Sequence, residues 1–361
     1  MLRNRIKALK TTFKKEFDGY IIANPINLLY FTELLGAADS LGAVMMLVPS
    51  EGESTLYVYG VNYEWIKAEA KNCRVELVKR GEDLVKKVAE QVRNQKLKKL
   101  GFDAMNVLTY QKFSKALKST KLEAKSEYIW NLRRIKDAGE LKKMRKAAEL
   151  TVESMQTAYE TIKAGIREYE VAAEIEYTMR IHGSYGVAFD TIVASGPHSA
   201  YPHGGCGERK LKNGDLVVVD IGAICKNYRA DMTRTFVVGK PSAKQKKIYT
   251  VVKMAQEKAF RKMQDGVKAA ETDAAARGII GKAGYGEYFV HGLGHGVGLE
   301  VHEQPVLNST SKDVLKAGNV VTDEPGIYIV GFGGFRIEDT VLVKKGNAER
   351  LTGRLYVLKK S

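Results

Sequence analysis

The stretch DLVVVDIGAICKNYRADMTRTFVV, residues 215–238, reads as two strands around a turn at Lys226-Asn227. Apolar runs on both arms mark strands buried within a sheet. With a two-residue turn, Asp220 opposes Thr233, and Asp231 lies on Thr233's face because side chains alternate along a strand. Both carboxylates then point the same way. Taken alone, such a pair more often means one exposed aspartate and one that caps a turn.

Two further stretches reverse that balance. In TDEPGIYIVGFGGFRIEDT, 322–340, a three-residue turn within GIYIVGFGGF puts Glu324 and Glu338 on one face. In GLGHGVG, 292–298, His295 is surrounded by small residues that let backbone approach the imidazole closely. A lone histidine is more often a satisfied core residue than a ligand, but inside this glycine run and beside four acids it reads as a ligand. The spacing is neither G-x-G-x-x-G nor H-E-x-x-H. Carboxylates flanked by core residues are rarely buried unless paired or bound to metal. Two divalent cations would cancel the charge of Asp220, Asp231, Glu324 and Glu338, which makes a two-metal hydrolase the leading reading. Asp231 and Glu338 are the acids placed to bridge, with a water of lowered pKa between the cations as nucleophile. An oxygen-rich set with one imidazole suits Mn²⁺, Co²⁺ or Fe²⁺ and does not exclude Zn²⁺. His203 and His302 remain as donors to a carbonyl oxygen that gains negative charge. Arg336, two residues before Glu338, is placed to orient a carboxylate.

A chain of 361 residues exceeds a typical single core, so two domains are expected. With 44% apolar and 28% charged residues it reads as globular, and runs such as AVMMLV at 43–48 are too short to span a bilayer. The N-terminal stretch is charged throughout and lacks the apolar segment of a secretion signal. Cys73, Cys206 and Cys225 are odd in number and show no C-x-x-C spacing. A cytoplasmic protein without a membrane partner is expected. The net charge of +16 is spread along the chain, and a recognition helix or zinc finger is not apparent, so a solvated surface is expected and specific nucleic-acid binding is not.

Residues 1–125 read as an α/β layer. DGYIIANPINLLYFTEL, AVMMLVPSEGESTLYVYG and CRVELV are expected to be strands with their turns, while NYEWIKAEAK and EDLVKKVAEQVRNQ have helical spacing. From 126 to 361 the expectation is α+β. Asp137 and Glu140 have capping-box spacing at the start of a long helix, and Gly165 is a natural stop. A second helix ends near Gly183, a third covers 242–264, and strands dominate from 289 onward.

HGLGHGVGLEVHE, DIGA…YRADMTRTF, EPGIY and FRIED resemble, in order and spacing, the pita-bread metallopeptidases, and more closely their prolidase and aminopeptidase P branch. LRRIKDAGELKKMRKAAEL is similar to that branch as well, and the match covers roughly residues 130–345. The resemblance implies a C-terminal pita-bread catalytic domain over 126–361 and a smaller creatinase-like N-terminal domain over 1–125. It implies two divalent metals, Mn²⁺ or Co²⁺ foremost: Asp220 on one, Asp231 and Glu338 bridging, His295 and Glu324 completing the other. Glu324 would also shuttle a proton, His203 and His302 would bind substrate, and Phe189 would line a proline pocket. Xaa-Pro dipeptides or short peptides are the implied substrates, and a homodimer the implied assembly. Asp323 departs from the pattern, because the residue before EPG is commonly apolar in the family; an extra acid there would either perturb the metal site or face solvent. A methionine aminopeptidase-like enzyme ordinarily lacks an N-terminal domain of this kind. A non-catalytic pita-bread binding protein, or an amidine hydrolase of the creatinase type, typically goes with a degraded ligand set.

Overall fold

A computed structural model describes residues 4–36 and 38–358. They form two compact units, Met1–Arg133 and Arg134–Ser361. The helix Glu127–Arg133 thus belongs with the first unit, on the near side of a division that falls beyond residue 125. Its Ile129 and Leu132 are buried, and Arg133 donates to Asn27 Oδ1 at 2.8 Å.

The first unit is a mixed sheet clothed by helices. Its strands are β1 (Gly19–Ile22), β2 (Val44–Pro49), β3 (Thr55–Tyr59), β4 (Arg74–Val78), β5 (Lys99–Phe102) and β6 (Lys121–Ala124). They lie in the order β4-β3-β2-β1-β5-β6, antiparallel in the centre and parallel toward both edges. Helix Leu84–Asn94 buries Leu84, Val85, Val88, Ala89 and Val92, a stripe at three- and four-residue spacing, against the sheet. One expectation fails here. PINLLYFT is a helix, Pro25–Thr32, and not a strand. Asn24 Oδ1 accepts from the amides of Ile26 and Asn27, and Pro25 fills the first turn, where no N–H is needed. The segment is apolar almost all round because it is buried, so its sequence lacks the helical stripe.

The second unit repeats one order of elements. Helices Ala138–Thr161 and Glu168–Ile181 precede β7 (Ile192–Ser195), β8 (Leu216–Ile221), β9 (Ile224–Cys225), β10 (Tyr228–Arg229) and β11 (Met232–Val237). Helices Ala243–Phe260 and Ala269–Lys282 precede β12 (Gly294–Gly296), β13 (Glu303–Leu307), β14 (Val320–Asp323), β15 (Gly326–Ile329), β16 (Gly333–Arg336), β17 (Asp339–Val343) and β18 (Ala348–Arg350). Each helix pair packs on the strands that follow it and forms its own apolar core. The capping box forms, with Glu140 N donating to Asp137 Oδ1 and Asp137 N to Glu140 Oε2, both at 2.9 Å. Helix Ala269–Lys282 was not marked by the sequence pattern, since Gly278 and Gly281 interrupt it. The architecture is α+β, with an acid-bearing hairpin closing each half.

Strand alternation decides the place of Asp323. Thr322 faces the acids, so Asp323 points to the other side of β14, opposite Asp339. It does not face solvent: it is fully buried. Asp339 accepts from Arg234, Gln256, Thr352 and Tyr356, whereas no described group donates to either oxygen of Asp323. Burial pushes its carboxyl well above the usual range. The folded chain therefore keeps it protonated while the unfolded chain ionises, and stability is lost as pH rises above the unfolded value of about 3.9. Asp323→Val is expected to stabilise the protein by about 1–3 kcal/mol. Thermal unfolding checks this, with a larger gain expected at about pH 7.5 than at about pH 5.

Candidate metal centre

The first hairpin has the register expected. Asp220 opposes Thr233, and the same register continues through Ile224–Arg229 and Cys225–Tyr228 to a two-residue turn at Lys226-Asn227. Both turn residues have left-handed backbone, with φ of 46° and 71°. Gly222, next to Asp231's position on the partner arm, leaves no room for a side chain: a Cβ would lie 2.2 Å from the Ala230 carbonyl oxygen and 3.0 Å from the Phe189 ring.

In the second hairpin Gly326 pairs with Arg336 and Ile329 with Gly333, so the turn is Val330–Gly331–Phe332. The β14–β17 pairing, Asp323 with Asp339, continues the same count. Glu324 and Glu338 are thus opposite one another, in the gap where the ladder is interrupted at Pro325, which has no N–H to give. The two hairpins join edge to edge. Glu338 N donates to Thr233 O at 3.0 Å, and Thr233 Oγ1 to Glu338 Oε2 at 2.5 Å. Arg234, buried against Asp339 at 2.8 Å, donates to the carbonyls of both Thr233 and Glu338.

His295 enters from β12. A Cβ at Gly294 would meet the Thr322 carbonyl oxygen at 2.4 Å, and one at Gly296 the Gln304 carbonyl oxygen at 2.4 Å. Both glycines are demanded by close strand approach. Nδ1 faces its own strand at Gly296 O, 3.1 Å away, which leaves Nε2 toward Glu324 Oε1 at 3.2 Å and Asp231 Oδ2 at 3.9 Å. Asp231, His295 and Glu338 can each present a donor atom so that all lie within 4.8 Å of one another.

The electrostatics are those of a site short of positive charge. Burial first, then Glu338 and Asp220, pushes Asp231 well above the usual carboxylate range. Burial, Glu324 and Asp220 do the same to Glu338. Burial also works against ionisation of Glu324, but the hydrogen bond and charge of His295 bring it down to about 2. His295 is raised in turn, Glu324 outweighing its burial. Arg336 donates to Asp220 Oδ2 at 2.6 Å. Asp220 Oδ1 and Asp231 Oδ1 are buried with no hydrogen-bond donor. Orphaned carboxylate oxygens beside one imidazole fit hard or borderline divalent cations well.

Around this cluster the other expected residues are spread. The His302 ring packs edge-on against His295, with centroids 4.2 Å apart, and burial with neighbouring His295 and His203 lowers its pKa. His203 is exposed, and its segment is tied to the cluster by Arg336 Nη1 donating to Pro202 O at 3.3 Å. Phe189 is half-buried beside Gly222. Two site residues went unread in the sequence. Tyr328 accepts from Arg336 Nη1 at 2.7 Å, and His291 Nε2 lies 3.0 Å from the Tyr328 hydroxyl. Burial lowers the His291 pKa, so the neutral ring accepts from Tyr328. His291 stands four residues before His295 in the same glycine run, a parity that could have marked it.

A two-hairpin cage of acids with one imidazole, carried on paired α+β halves, defines a metal-dependent hydrolase with a pita-bread catalytic unit. The chain belongs to metallopeptidase family M24, whose model matches residues 142–345, and residues 5–135 match the creatinase/prolidase N-terminal domain. Membership implies divalent metal binding. The chain is 41% identical to a Xaa-Pro dipeptidase of Pyrococcus furiosus over 96% of each. It resembles the structure of a Xaa-Pro dipeptidase from Bacillus anthracis with a TM-score of 0.92 at 35% identity, covering 98% of both chains. The structure of an X-Pro aminopeptidase from Thermotoga maritima is similar with a TM-score of 0.87 at 34% identity, over 95% of this chain and 97% of that one.

Because a side chain at position 296 collides with backbone, Gly296→Ala is expected to displace His295. Calorimetric titration of the metal-free protein with Mn²⁺ should show at least about tenfold weaker binding, alongside a lower Tm.

Proposed function

We propose that this metallopeptidase is a Xaa-Pro dipeptidase, with Asp220, Asp231, His295, Glu324 and Glu338 holding two divalent cations, Mn²⁺ or Co²⁺ foremost. One observation carries the reading. Four carboxylates and one imidazole converge, with oxygens left unsatisfied, in a chain similar along nearly its whole length to Xaa-Pro dipeptidases. When bound, the cations supply Lewis acidity and a nucleophile drawn from water at neutral pH.

The chain's own residues do the rest. Asp231 and Glu338 would hold the cations together with the other three ligands, and Thr233 fixes Glu338 by its hydroxyl. Arg336 fixes Asp220. Glu324, held ionised by His295, takes the proton released as water adds to the scissile carbonyl carbon. It passes that proton to the prolyl nitrogen as the C–N bond breaks. His302 and His203 donate to the carbonyl oxygen while it carries negative charge. Phe189 forms a wall of the pocket for the proline ring. Proline brings no N–H to that pocket, so an apolar wall without an acceptor favours it and penalises other residues.

The Pro-selective reading is preferred to methionine aminopeptidase, because similarity to Xaa-Pro dipeptidases runs through both units. We further place the protein in the cytoplasm, as its cysteines are free thiols suited to a reducing compartment. Among the described residues, no helix is long and apolar enough to cross a membrane. A homodimer is expected and is checked by light scattering.

Mn²⁺-loaded protein should cleave Ala-Pro and Met-Pro on the order of a hundredfold faster, in kcat/KM, than Ala-Ala and Met-Ala. Chelation should abolish the activity and Mn²⁺ or Co²⁺ restore it. Phe189→Ala should narrow the gap by slowing the prolyl substrates. Equal rates on Met-Pro and Met-Ala would remove the proline assignment, and faster cleavage of Xaa-Pro-Yaa tripeptides would make the enzyme an aminopeptidase.

A further inference from the structure

The segment IKDAGEL, 135–141, carries two buried charged side chains that the chemistry above leaves without a task, Lys136 and Glu140. Lys136 Nζ lies 3.2 Å from Glu303 Oε2, and both side chains are only 1% exposed. Glu303 directly follows His302. Its other oxygen accepts from the amides of Leu299 and Glu300 at 2.8 and 3.1 Å, so the loop Val297–His302 curls around one carboxylate. The fit is close: a Cβ at Gly298 would lie 2.6 Å from Glu303 Oε2.

The outer side of the same loop is held by Arg229. Its amide donates to Gly298 O at 2.8 Å, and its guanidinium to Leu299 O and, at 3.2 Å, to Ala188 O, next to Phe189. Tyr228, the residue before it, donates to Glu140 Oε1 at 2.9 Å. Lys136 and Glu140, at the start of helix Ala138–Thr161, thereby hold the loop twice, through Glu303 and through Tyr228–Arg229.

A buried ion pair is a costly way to stabilise a fold, since a well-packed apolar pair does as well or better. What it supplies here is a fixed point: the ammonium sets the carboxylate, and the carboxylate sets two consecutive amides of the loop that ends in His302. We propose that Lys136 and Glu303 are positioning residues that hold His302 against His295, where it can donate to the reacting carbonyl oxygen. The inference rests on the reading of His302 given above.

A double-mutant cycle with His302 separates positioning from mere support. Glu303→Gln, His302→Ala and their combination are compared on Ala-Pro in Mn²⁺-loaded full-length protein. Lys136→Met/Glu303→Gln, which removes both charges at similar volume, replaces the single change if that variant fails to fold. Glu303→Gln is expected to lower kcat at least about tenfold, with KM and metal content per chain unchanged. In the His302→Ala background the same change should cost less than about threefold. An equal loss in both backgrounds, or loss of bound metal, would overturn the inference and leave the pair a structural one. If His302→Ala alone leaves kcat intact, it is the donor role of His302 that fails, and the inference with it.

Discussion

Mutual repulsion among Asp220, Asp231, Glu324 and Glu338 is the constraint that the second unit is built to withstand. Two like charges 4 Å apart cost about 4 kcal/mol even at an effective dielectric of 20. The chain does not relieve this by letting the acids turn outward. Each is locked by its strand register, and the two hairpins are stitched together by Thr233 and Arg234. The result is a negative hollow whose charge bound divalent metal would neutralise.

Positive and polar support is distributed unevenly around that hollow. Arg336 and Tyr328 stand at the Asp220 end, and His295 stands at Glu324. Burial and the neighbouring acids push the carboxyls of Asp231 and Glu338 well above their usual range. Those are the two acids proposed to bridge, where a shared pair of cations would compensate them most fully. Behind them Asp339 is satisfied by Arg234 and three further donors, so the ion pair that braces the strands does not compete for the site.

Much of this is legible in the chain because strand parity is arithmetic. The pairing of Asp220 with Thr233, and of the two glutamates across Val330–Phe332, follows from turn lengths alone. Glycine is equally legible at 294 and 296, where backbone meets backbone. Segments buried on all sides are not. PINLLYFT shows no polar face from which to tell a helix from a strand, and the helix Ala269–Lys282 hides behind its glycines. His291 earns its place through Tyr328, a neighbour 37 residues away. Lys136 and Glu303 lie 167 residues apart, beyond the reach of any local pattern.

The short turns at Lys226-Asn227 and Val330–Phe332 carry a genetic consequence. Lys226, Val330 and Gly331 are exposed, while Phe332 packs against the core of the second unit. A single added or deleted residue shifts the pairing count by one and swings one carboxylate of the pair to the opposite side of its sheet. Composition at Lys226, Asn227 and Gly331 is limited by their left-handed backbone, and length is limited by the register each turn sets. Single-codon insertions and deletions, normally absorbed by surface turns, act here as lesions of the active centre.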